Sequence, residues 1–583
     1  MLIYKKDKFY LDEKEIKIYS GAIHYFRVLP EYWEDRLLKL KAAGFNTVET
    51  YINWSLHEPK ENVFDFSGRL DFVKFLKTAQ KIGLYAIVRP SAYICAEVDF
   101  GGMPPWLLKY DDMNLRCSDK KFVKYTTRYY NKILPLLRPL LYQNGGNIIM
   151  MQIENEYGSY GNDKKYLNGI KSVYRKNGID CLTVTSDGAC HMMLSGGTIK
   201  NVLPTLNFGS GAKEAFGYLK KTMPKMCMEF WCGWFDWWGE KHHQRNVEEF
   251  EKAFRELLDQ DANFNMYMVN GGTNFGFLAG ANYRNGYTPT ATTYDYFALI
   301  NEWGNYTPMY YSIRKLLFEK RGENAIKAEL PLPPMTQNIG KVKLTEYADF
   351  FDNLENISEK HHSIKPLSME KYDQNYGIIF YENTLRGKYE DNILKIENVR
   401  DIASVYIEGV KTATVSRMND GIYENLFNDN PLEVKGFDGE KKIGVLTEAL
   451  GRINYGERLK DSKGISDVIY GCQSLSHYTV YSVDFSKIER LQYSRSYKQC
   501  PVFLKGEFKA EKGKECFVSF EGFTRGYIFV NGFNLGRYWN IGPQKTLYLP
   551  SALLKENNEI IVFELVGFER GEIVITDQAN LGE

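Results

Sequence analysis

The chain lacks any long uninterrupted apolar segment and any excess of charge of one sign. No window of its 583 residues approaches the roughly 18 consecutive apolar residues that a membrane-spanning helix needs. Its 74 lysines and arginines are balanced by 73 aspartates and glutamates, for a formal net charge of +1. No basic amphipathic run is present either, so neither nucleic acid nor a membrane surface is indicated as a partner.

Metal and cofactor motifs are also missing. The nine cysteines are an odd number, scattered without the spacing of a metal site or a redox pair. The histidines lack zinc-ligand spacing, so His24 and His57 are interpreted as hydrogen-bonding side chains. No Gly-rich phosphate-binding fingerprint follows the first predicted strand. We therefore expect no metal and no cofactor.

The N-terminus shows no secretion signal. Its first ten residues contain no continuous apolar core and no small-residue cleavage site. Because the cysteines are most simply interpreted as reduced thiols, the expected location is the cytoplasm. A leaderless location at the cell surface is left open.

The first part of the chain, residues 1–328, alternates apolar β-branched runs with amphipathic helical patterns, which is typical of βα units. Eight strands are predicted there, at residues 16–25, 47–54, 84–89, 147–153, 182–186, 202–208, 225–228 and 266–269. Eight strands with intervening helices predict a catalytic (β/α)8 barrel, an α/β fold. A doubly wound sheet is the alternative, but it would need the missing Gly-rich turn.

The pattern changes after about Lys327, where short alternating strands and turn signals replace the helices. Residues 329–380 are interpreted as a linker and the first strands of a β domain, 381–470 as one β-sandwich domain and 471–583 as a second. Stretches 403–409 and 525–532 resemble each other, which favours two jelly-roll-like sandwiches of one type. One large irregular β region is the alternative.

Two predicted barrel strands end in carboxylates. The apolar run 148–153 leads into Glu154, Asn155 and Glu156, and strand 225–228 leads into Glu229. An ionised carboxylate is costly to bury without a partner, so a core strand that ends in acid indicates chemistry. Parallel barrels carry their active sites at the C-terminal strand ends. Glu156 and Glu229 are therefore predicted to face each other across the ring.

Paired carboxylates at one site are typical of glycoside hydrolysis, with one general acid/base and one nucleophile. Carboxyl groups roughly 5–5.5 Å apart give retention, and roughly 6.5–9.5 Å gives inversion; the barrel alone leaves this choice open. Structural alternatives are an N-cap role for Glu156 and a strand-end salt bridge from Glu229 to Arg89 or Arg27. Asn155 is expected to donate to the sugar 2-hydroxyl.

Aromatic side chains crowd the segment after Glu229. Trp231, Trp234 and Trp237 follow it closely, and aromatic rings stack on the apolar faces of sugars. We hypothesise that Trp234 or Trp237 forms a platform for the leaving group; the alternative is packing of this loop against the β domains. Tyr455, in segment 451–456, is a further candidate at the same rim.

Several ordered motifs resemble those of glycoside hydrolase family 35, the β-galactosidases related to the lysosomal enzyme. They are GAIHYFR at 21–27, NTVETY at 46–51, HEP at 57–59, RPSAYICAE at 89–97, IENEYG at 153–158 and GGTNF at 271–275. The resemblance covers the whole barrel and, more weakly, the β domains, and it implies that the second sandwich is galactose-binding-like. It implies an exo-acting retaining β-galactosidase that removes terminal β-D-galactose from oligosaccharides.

The resemblance also implies roles for individual residues. Glu156, the second glutamate of the Asn-Glu-Tyr-Gly motif, is the implied acid/base, and Glu229 is the implied nucleophile. The family's galactose contacts carry over onto Tyr51, Cys95, Ala96, Glu97, Asn155, Tyr267 and Tyr296. This chain has Trp231 where the animal member has tyrosine, and Asn53 where proline is common.

The Trp-rich entrance favours β-1,3-linked substrates. Two other functions stay open from the sequence: an exo-hydrolase of another β-glycoside such as a glucosaminide, and a non-catalytic carbohydrate-binding protein. Exposed sheet edges would allow two copies of the chain to form a homodimer through the β domains.

Overall fold

The structure, a computed structural model, describes residues 1–326, 328–418 and 421–582. A small antiparallel sheet comes first, formed by β1 (Leu2–Lys5), β2 (Lys8–Leu11) and β3 (Lys14–Ile16). The next strands close into a parallel barrel: β4 (Tyr19–Ile23), β5 (Thr47–Tyr51), β6 (Tyr85–Arg89), β7 (Ile148–Gln152), β8 (Leu182–Gly188), β9 (Leu203–Phe208), β10 (Met226–Trp231) and β11 (Asn263–Asn270). The pairing of β11 with β4 closes the ring. The predicted (β/α)8 barrel is confirmed.

The barrel strands are apolar because helices cover their outer face while side chains fill the interior. Every residue of β5, β7 and β11 is buried, as expected for parallel strands covered on both faces. The helices of this part are Trp33–Ala42, Trp54–His57, Phe72–Ile82, Lys120–Leu137, Lys164–Lys176, His191–Gly197, Ala212–Phe216, Val247–Asp259 and Pro308–Arg321.

Short polar side chains fix where several of these helices begin. Asp71, Asp119, Asp163 and Asn246 each accept a hydrogen bond from a backbone N–H of the first helical turn. Such caps satisfy donors that would otherwise lack a partner. Because a helix begins at the end of the barrel where the preceding strand stops, the caps also anchor the loops that surround the C-terminal strand ends.

The rest of the chain forms mainly antiparallel sheets, with one parallel pair between Met335–Thr336 and Lys514–Ser519, which confirms all-β domains after the barrel. One is six-stranded: Ser358–Ser363, Ile378–Tyr389, Ile402–Ile407, Val410–Ser416, Phe437–Glu448 and Tyr478–Val483. A four-stranded sheet accompanies it: Asn392–Glu397, Leu432–Val434, Asp467–Tyr470 and Gln473–Ser474. Lys327, where the sequence pattern changes, lies outside the described residues.

A nine-stranded sheet holds the C-terminal strands. It contains Met335–Thr336, Gly340–Asp349, Val502–Lys509, Lys514–Ser519, Arg525–Val530, Phe533–Trp539, Thr546–Leu549, Asn557–Glu564 and Glu572–Thr576. The two stretches that resemble each other in sequence occupy similar places. Each is a strand followed by a tight turn with two positive φ values, at Glu408 and Gly409 and at Asn531 and Gly532, as in type I′ hairpins.

Two strands pair with strands that lie outside the domain boundaries expected from the sequence. Gly340–Asp349 joins the C-terminal sheet by pairing with Val502–Lys509 and Glu572–Thr576. Tyr478–Val483, expected in the second sandwich, pairs with Ser358–Ser363 and Ile378–Tyr389 of the six-stranded sheet. Local alternation predicts a strand but not its partner, because pairing is decided by packing between distant segments.

Within the part of the chain that the structure describes, no helix has both the length and the apolar character needed to cross a bilayer.

Candidate active site

A cavity of about 230 Å³ lies at the C-terminal end of the barrel. Almost all the predicted site residues line it: Tyr51, Cys95, Ala96, Glu97, Asn155, Glu156, Glu229, Trp231, Trp234, Tyr267, Tyr296 and Tyr455. The structure thus gathers residues that are up to 404 positions apart (455 minus 51) around one pocket. Ile94, Phe235 and Asn282 also line it and were not predicted.

Glu229 is held mainly through one carboxylate oxygen. Its Oε1 accepts hydrogen bonds from Arg89 at 2.6 Å and from the Tyr51 hydroxyl at 2.8 Å. Its Oε2 accepts a longer one, 3.2 Å, from the indole N–H of Trp231. Glu229 therefore forms the strand-end salt bridge to Arg89, and it lines the pocket as well. Arg27 instead contacts His24, Asn274 and the carbonyl oxygen of Ala96.

Arg89 organises the floor of the pocket. Besides Glu229, its guanidinium donates to Asn155 Oδ1 at 2.7 Å and to Gln152 Oε1 at 2.7 Å. A second carboxylate, that of Glu49, lies 3.7 Å from it. Burial raises the pKa of Glu49 to about 7, although the charge of Arg89 opposes that shift.

Glu156 reaches the pocket from the loop after β7. Its backbone is left-handed (φ 46°), and its N–H donates to the carbonyl oxygen of Ser186 at 2.9 Å. Its Oε1 accepts from Asn207 Nδ2 at 3.0 Å. Glu156 stands at the N-cap position of the short helix Tyr157–Ser159, but its side chain makes no hydrogen bond to cap that helix.

The pKa of Glu156 is raised to about 8, first by burial and then by the nearby charge of Glu229, while the hydrogen bond from Asn207 opposes the rise. Glu156 thus holds a proton at neutral pH beside the carboxyl group of Glu229. Asn207 comes from the end of β9, which the sequence had not marked as part of the site.

Glu154, two residues earlier, has a different environment. It is fully buried and forms a two-pronged ion pair with Arg116 at 2.8 and 3.0 Å. The Tyr166 hydroxyl also donates to it at 3.0 Å. Arg116 neutralises the charge of Glu154, and Glu154 does not line the pocket. Of Glu154 and Glu156, only Glu156 faces the cavity.

Left-handed backbone recurs around the pocket. Cys95, Ala96 and Glu97 have φ values of 54°, 51° and 52°, and Tyr296 has 60°. Non-glycine residues seldom adopt this conformation, which costs of order 1–3 kcal/mol each and occurs often at functional sites. Arg27 donates to the Ala96 carbonyl and holds this turn in place. No glycine marks these positions, so the sequence carried no signal for them.

Glu97 forms the side of the pocket beside this turn. The Tyr294 hydroxyl donates to its carboxylate, and Tyr267 and Tyr294 hydroxyls lie 3.2 Å apart. Burial raises the pKa of Glu97 to about 7. The galactose contacts implied for Glu97 and Tyr267 therefore belong to one hydrogen-bonded group.

The tryptophans after Glu229 divide into two sets. Trp234 is 38 % exposed and lines the pocket, with its ring stacked on Phe235. Trp237 is only 4 % exposed and does not line it, so that part of the platform hypothesis is wrong. Its backbone bridges to Thr290, and its indole N–H donates to Asn282 Oδ1 at 2.8 Å, which turns the ring inward.

Tyr455 brings a side chain of the first β domain to the entrance. Its loop is anchored by Arg452, whose guanidinium pairs with Asp99 of the barrel at 2.9 Å and with Glu370 at 2.6 Å. The next side chain, Asn454, accepts from Asn282 of the pocket wall at 3.2 Å. The entrance is therefore built from both domains.

The two histidines hydrogen-bond within the barrel, as expected. His57 Nε2 lies 2.6 Å from the Tyr25 hydroxyl, and His24 Nδ1 lies 2.7 Å from the guanidinium of Arg27. Burial lowers the pKa of His57 to about 4. Asn53 caps the short helix Trp54–His57 through its side-chain oxygen. Among the residues described, no group of three or more His, Cys, Asp or Glu side chains could hold a metal ion.

Comparisons with known proteins agree along the whole chain. The family described as "Glycosyl hydrolases family 35" matches residues 8–319. "Beta-galactosidase, first all-beta domain" matches 366–484, and "Beta-galactosidase, galactose-binding domain" matches 501–559.

Relatives match over nearly their full length. The chain is 38 % identical to the human "Beta-galactosidase-1-like protein 3", covering 99 % of this chain and 88 % of the relative. It is 37 % identical to "Beta-galactosidase" of Xanthomonas manihotis, covering 94 % and 91 %. It is 35 % identical to "Beta-galactosidase" of Mus musculus, covering 97 % and 91 %. The chain belongs to glycosyl hydrolase family 35 and is a glycoside hydrolase.

Proposed function

We propose that this protein is an exo-acting, retaining β-galactosidase that releases terminal non-reducing β-D-galactose from oligosaccharides. The observation that carries the proposal is the placement of Glu156 and Glu229 on one pocket, with the implied galactose contacts around them. The relatives named as β-galactosidases support the choice of sugar. Most of the lining side chains are buried, which suits a pocket that admits the end of a glycan.

Glu229 serves as the nucleophile. Arg89 and Tyr51 neutralise and orient its Oε1, which leaves Oε2, with only the longer bond from Trp231, as the oxygen that attacks the anomeric carbon. A bond forms between Oε2 and that carbon while the glycosidic bond breaks. The product is a covalent galactosyl ester in which the charge of Glu229 is gone.

Glu156 serves as the acid and then as the base. Its proton passes to the departing glycosidic oxygen, so negative charge moves from Glu229 to Glu156 in the same step. With Glu229 esterified, the repulsion that helps to raise the pKa of Glu156 disappears. Glu156 then takes a proton from water, whose oxygen bonds to the anomeric carbon while the bond between that carbon and Oε2 breaks, which releases galactose and restores Glu229.

Linkage preference depends on the entrance. Trp234 and Tyr455 line the pocket from two domains, and both are more than a third exposed. We propose that these two side chains contact the leaving-group sugar and favour β-1,3-linked galactosides. Asn282, held between Trp237 and Asn454, supplies an amide to the same wall.

A panel of nitrophenyl glycosides tests the sugar. The β-galactoside should be cleaved, and β-glucosaminide or β-glucoside should not; the opposite ranking would replace galactose by that sugar. Glu229→Gln and Glu156→Gln should each lower turnover by about a thousandfold or more while galactose still binds. Proton NMR of the first product should show β-galactose, and α-galactose would mean inversion.

Trp234→Ala tests the entrance. It should lower kcat/KM for a Galβ1-3 disaccharide roughly tenfold, because a stacked ring is lost, and change nitrophenyl galactoside cleavage little. Trp303→Phe, which changes a ring outside the pocket that packs on Phe517, is the control and should affect both substrates alike. Equal losses on both substrates in Trp234→Ala would remove the ring from this role.

A further inference from the structure

A second cavity lies where the barrel meets both β domains. Its volume is about 330 Å³. Leu56 and Phe277 line it from segments that follow β5 and β11, Tyr376 lines it from the first β domain and Asn534 from the second. Because β5 and β11 end at the C-terminal face of the barrel, Leu56 and Phe277 place this cavity at the same end of the barrel as the active-site pocket. Of the described residues, none lines both cavities.

The wall of this cavity carries one charged side chain among the residues described, Arg69. In the described part of the chain no acidic side chain forms an ion pair with Arg69, and its guanidinium lies over the ring of Phe533 at 5.7 Å. Burial lowers the pKa of Arg69 from its usual value, and no neighbouring carboxylate raises it. A cation in apolar surroundings without a counter-ion attracts a negatively charged group.

Asn534 adds a second donor that lacks an acceptor. Its Oδ1 accepts from the backbone N–H of Gly536 at 2.9 Å, but its buried Nδ2 has no hydrogen-bond partner. A buried donor without a partner destabilises the protein that carries it. The Nδ2 of Asn534 is enclosed by protein and has almost no accessible surface, so Arg69 is the donor that favours a ligand with oxygen acceptors.

Aromatic rings form the remaining wall. Phe277 and Tyr376 are half-buried and nearly parallel, with an interplanar angle of 2° and ring centroids 6.2 Å apart. Flat apolar surfaces beside a guanidinium suit a sugar ring, whose C–H face stacks on aromatic side chains while its oxygens accept hydrogen bonds. The unpaired charge of Arg69 selects a sugar that carries a carboxylate.

We propose that this cavity is an accessory binding site for an acidic sugar, whose carboxylate pairs with Arg69 and whose ring lies against Phe277 and Tyr376. The site goes beyond the proposed function, because binding there needs neither Glu156 nor Glu229. It would let the enzyme hold glycans that contain uronic acid residues on the face where terminal sugars are cleaved.

Isothermal titration calorimetry with sodium glucuronate tests the site, with the active-site pocket saturated by galactose. The unaltered protein should bind glucuronate, and Arg69→Leu should bind it at least about tenfold more weakly, because a charge-assisted hydrogen bond is lost. Arg495→Leu, which removes an exposed arginine elsewhere, should leave the affinity unchanged. The assay does not depend on hydrolysis, so it stands apart from the test of galactosidase activity.

Tyr376→Leu keeps Arg69 and removes a ring, so it should weaken glucuronate binding but not the binding of sodium acetate. Melting temperatures of all variants check that each is folded. Equal affinities of the unaltered protein and Arg69→Leu would overturn the proposal, as would the absence of glucuronate binding. Acetate binding as tightly as glucuronate would overturn the assignment of a sugar.

Discussion

Glu229 shows how one carboxylate can be both anchored and reactive. Arg89 and Tyr51 bind one oxygen closely, and the indole of Trp231 approaches the other at a longer distance. Trp231 is a departure from the animal member of the family, and the structure gives it a direct contact with the proposed nucleophile. The identity of this residue therefore affects the electrostatics of the reaction as well as the shape of the pocket.

Asn207 lowers the pKa of Glu156 against the larger effects of burial and of the charge of Glu229. Asn207→Leu removes the hydrogen bond that opposes the raised pKa of Glu156, so that pKa should rise above about 8 by roughly one unit. Because Glu156 needs its proton, activity is present below its pKa and is lost as pH rises through it. The alkaline limb of kcat/KM for nitrophenyl β-galactoside should therefore move to higher pH.

The matched control for this change is Ser186→Ala. The Ser186 hydroxyl donates to Asn207 Oδ1 at 2.6 Å and makes no hydrogen bond to the carboxylate of Glu156. Removing this hydroxyl should therefore move the alkaline limb less than Asn207→Leu does. A limb that stays in place or moves to lower pH in Asn207→Leu would contradict the assigned role.

The sequence predicted the acidic site residues and Asn155, but it missed the amides of Asn207 and Asn282 for a physical reason. A carboxylate at the end of an apolar strand is conspicuous, because burying its charge needs an explanation. Asn207 and Asn282 are neutral, and an amide in the same position is compatible with an ordinary core. Trp237 was misplaced because composition shows that rings are abundant but not which ring faces the cavity.

At the level of elements, the loop that carries Tyr455 depends on a buried ion pair. Arg452→Met would leave Asp99 and Glu370 buried without their partner. Breaking such a pair typically costs about 3–5 kcal/mol, so the melting temperature should fall clearly. The KM for a disaccharide should also rise, because Tyr455 and Asn454 lose their anchor.

Lys81→Ala is the control for Arg452→Met. It breaks a pair with Glu34 whose side chains are 76 % and 55 % exposed, and such pairs contribute about 0–1 kcal/mol. Thermal unfolding followed by fluorescence compares the two variants. Similar melting temperatures for both would mean that the loop is held by other contacts.

Barrel strands were predictable because parallel strands buried on both faces are short apolar runs followed by capped helices. The observed bounds of the strands differ slightly from the predicted ones. Glu229, for example, lies within β10 and not after it. The β domains were less predictable. The sequence predicted short strands there in general, but it did not predict the pairing of Gly340–Asp349 and Tyr478–Val483, whose partners at 502–509 and 358–363 lie more than a hundred residues away.

Across the whole molecule, the barrel holds several buried carboxyl groups whose pKa values are raised. Burial raises the pKa of Glu49, Glu97 and Asp187 to about 7 and that of Glu156 and Glu302 to about 8. In the unfolded chain these groups have pKa values near 4. Between these values the folded state binds more protons, so stability should fall as pH rises from about 5 to 8.

The melting temperature measured at intervals between pH 5 and pH 8.5 checks this expectation. Glu302→Gln removes one of the titrating groups and should make the decline shallower. At lower pH another effect enters, because ion pairs hold the pKa of Asp461 at about 2. A melting temperature that rises steadily from pH 5 to 8 would contradict the expected linkage.

The placement of Tyr455 has a consequence for how such proteins diversify. Both proposed reacting carboxylates come from the barrel, Glu229 from β10 and Glu156 from the loop after β7, whereas the Tyr455 ring at the mouth of the pocket comes from the first β domain. Recombination that exchanges the C-terminal half between related genes would therefore change which leaving-group sugar is accepted, while the two carboxylates of the barrel stay the same.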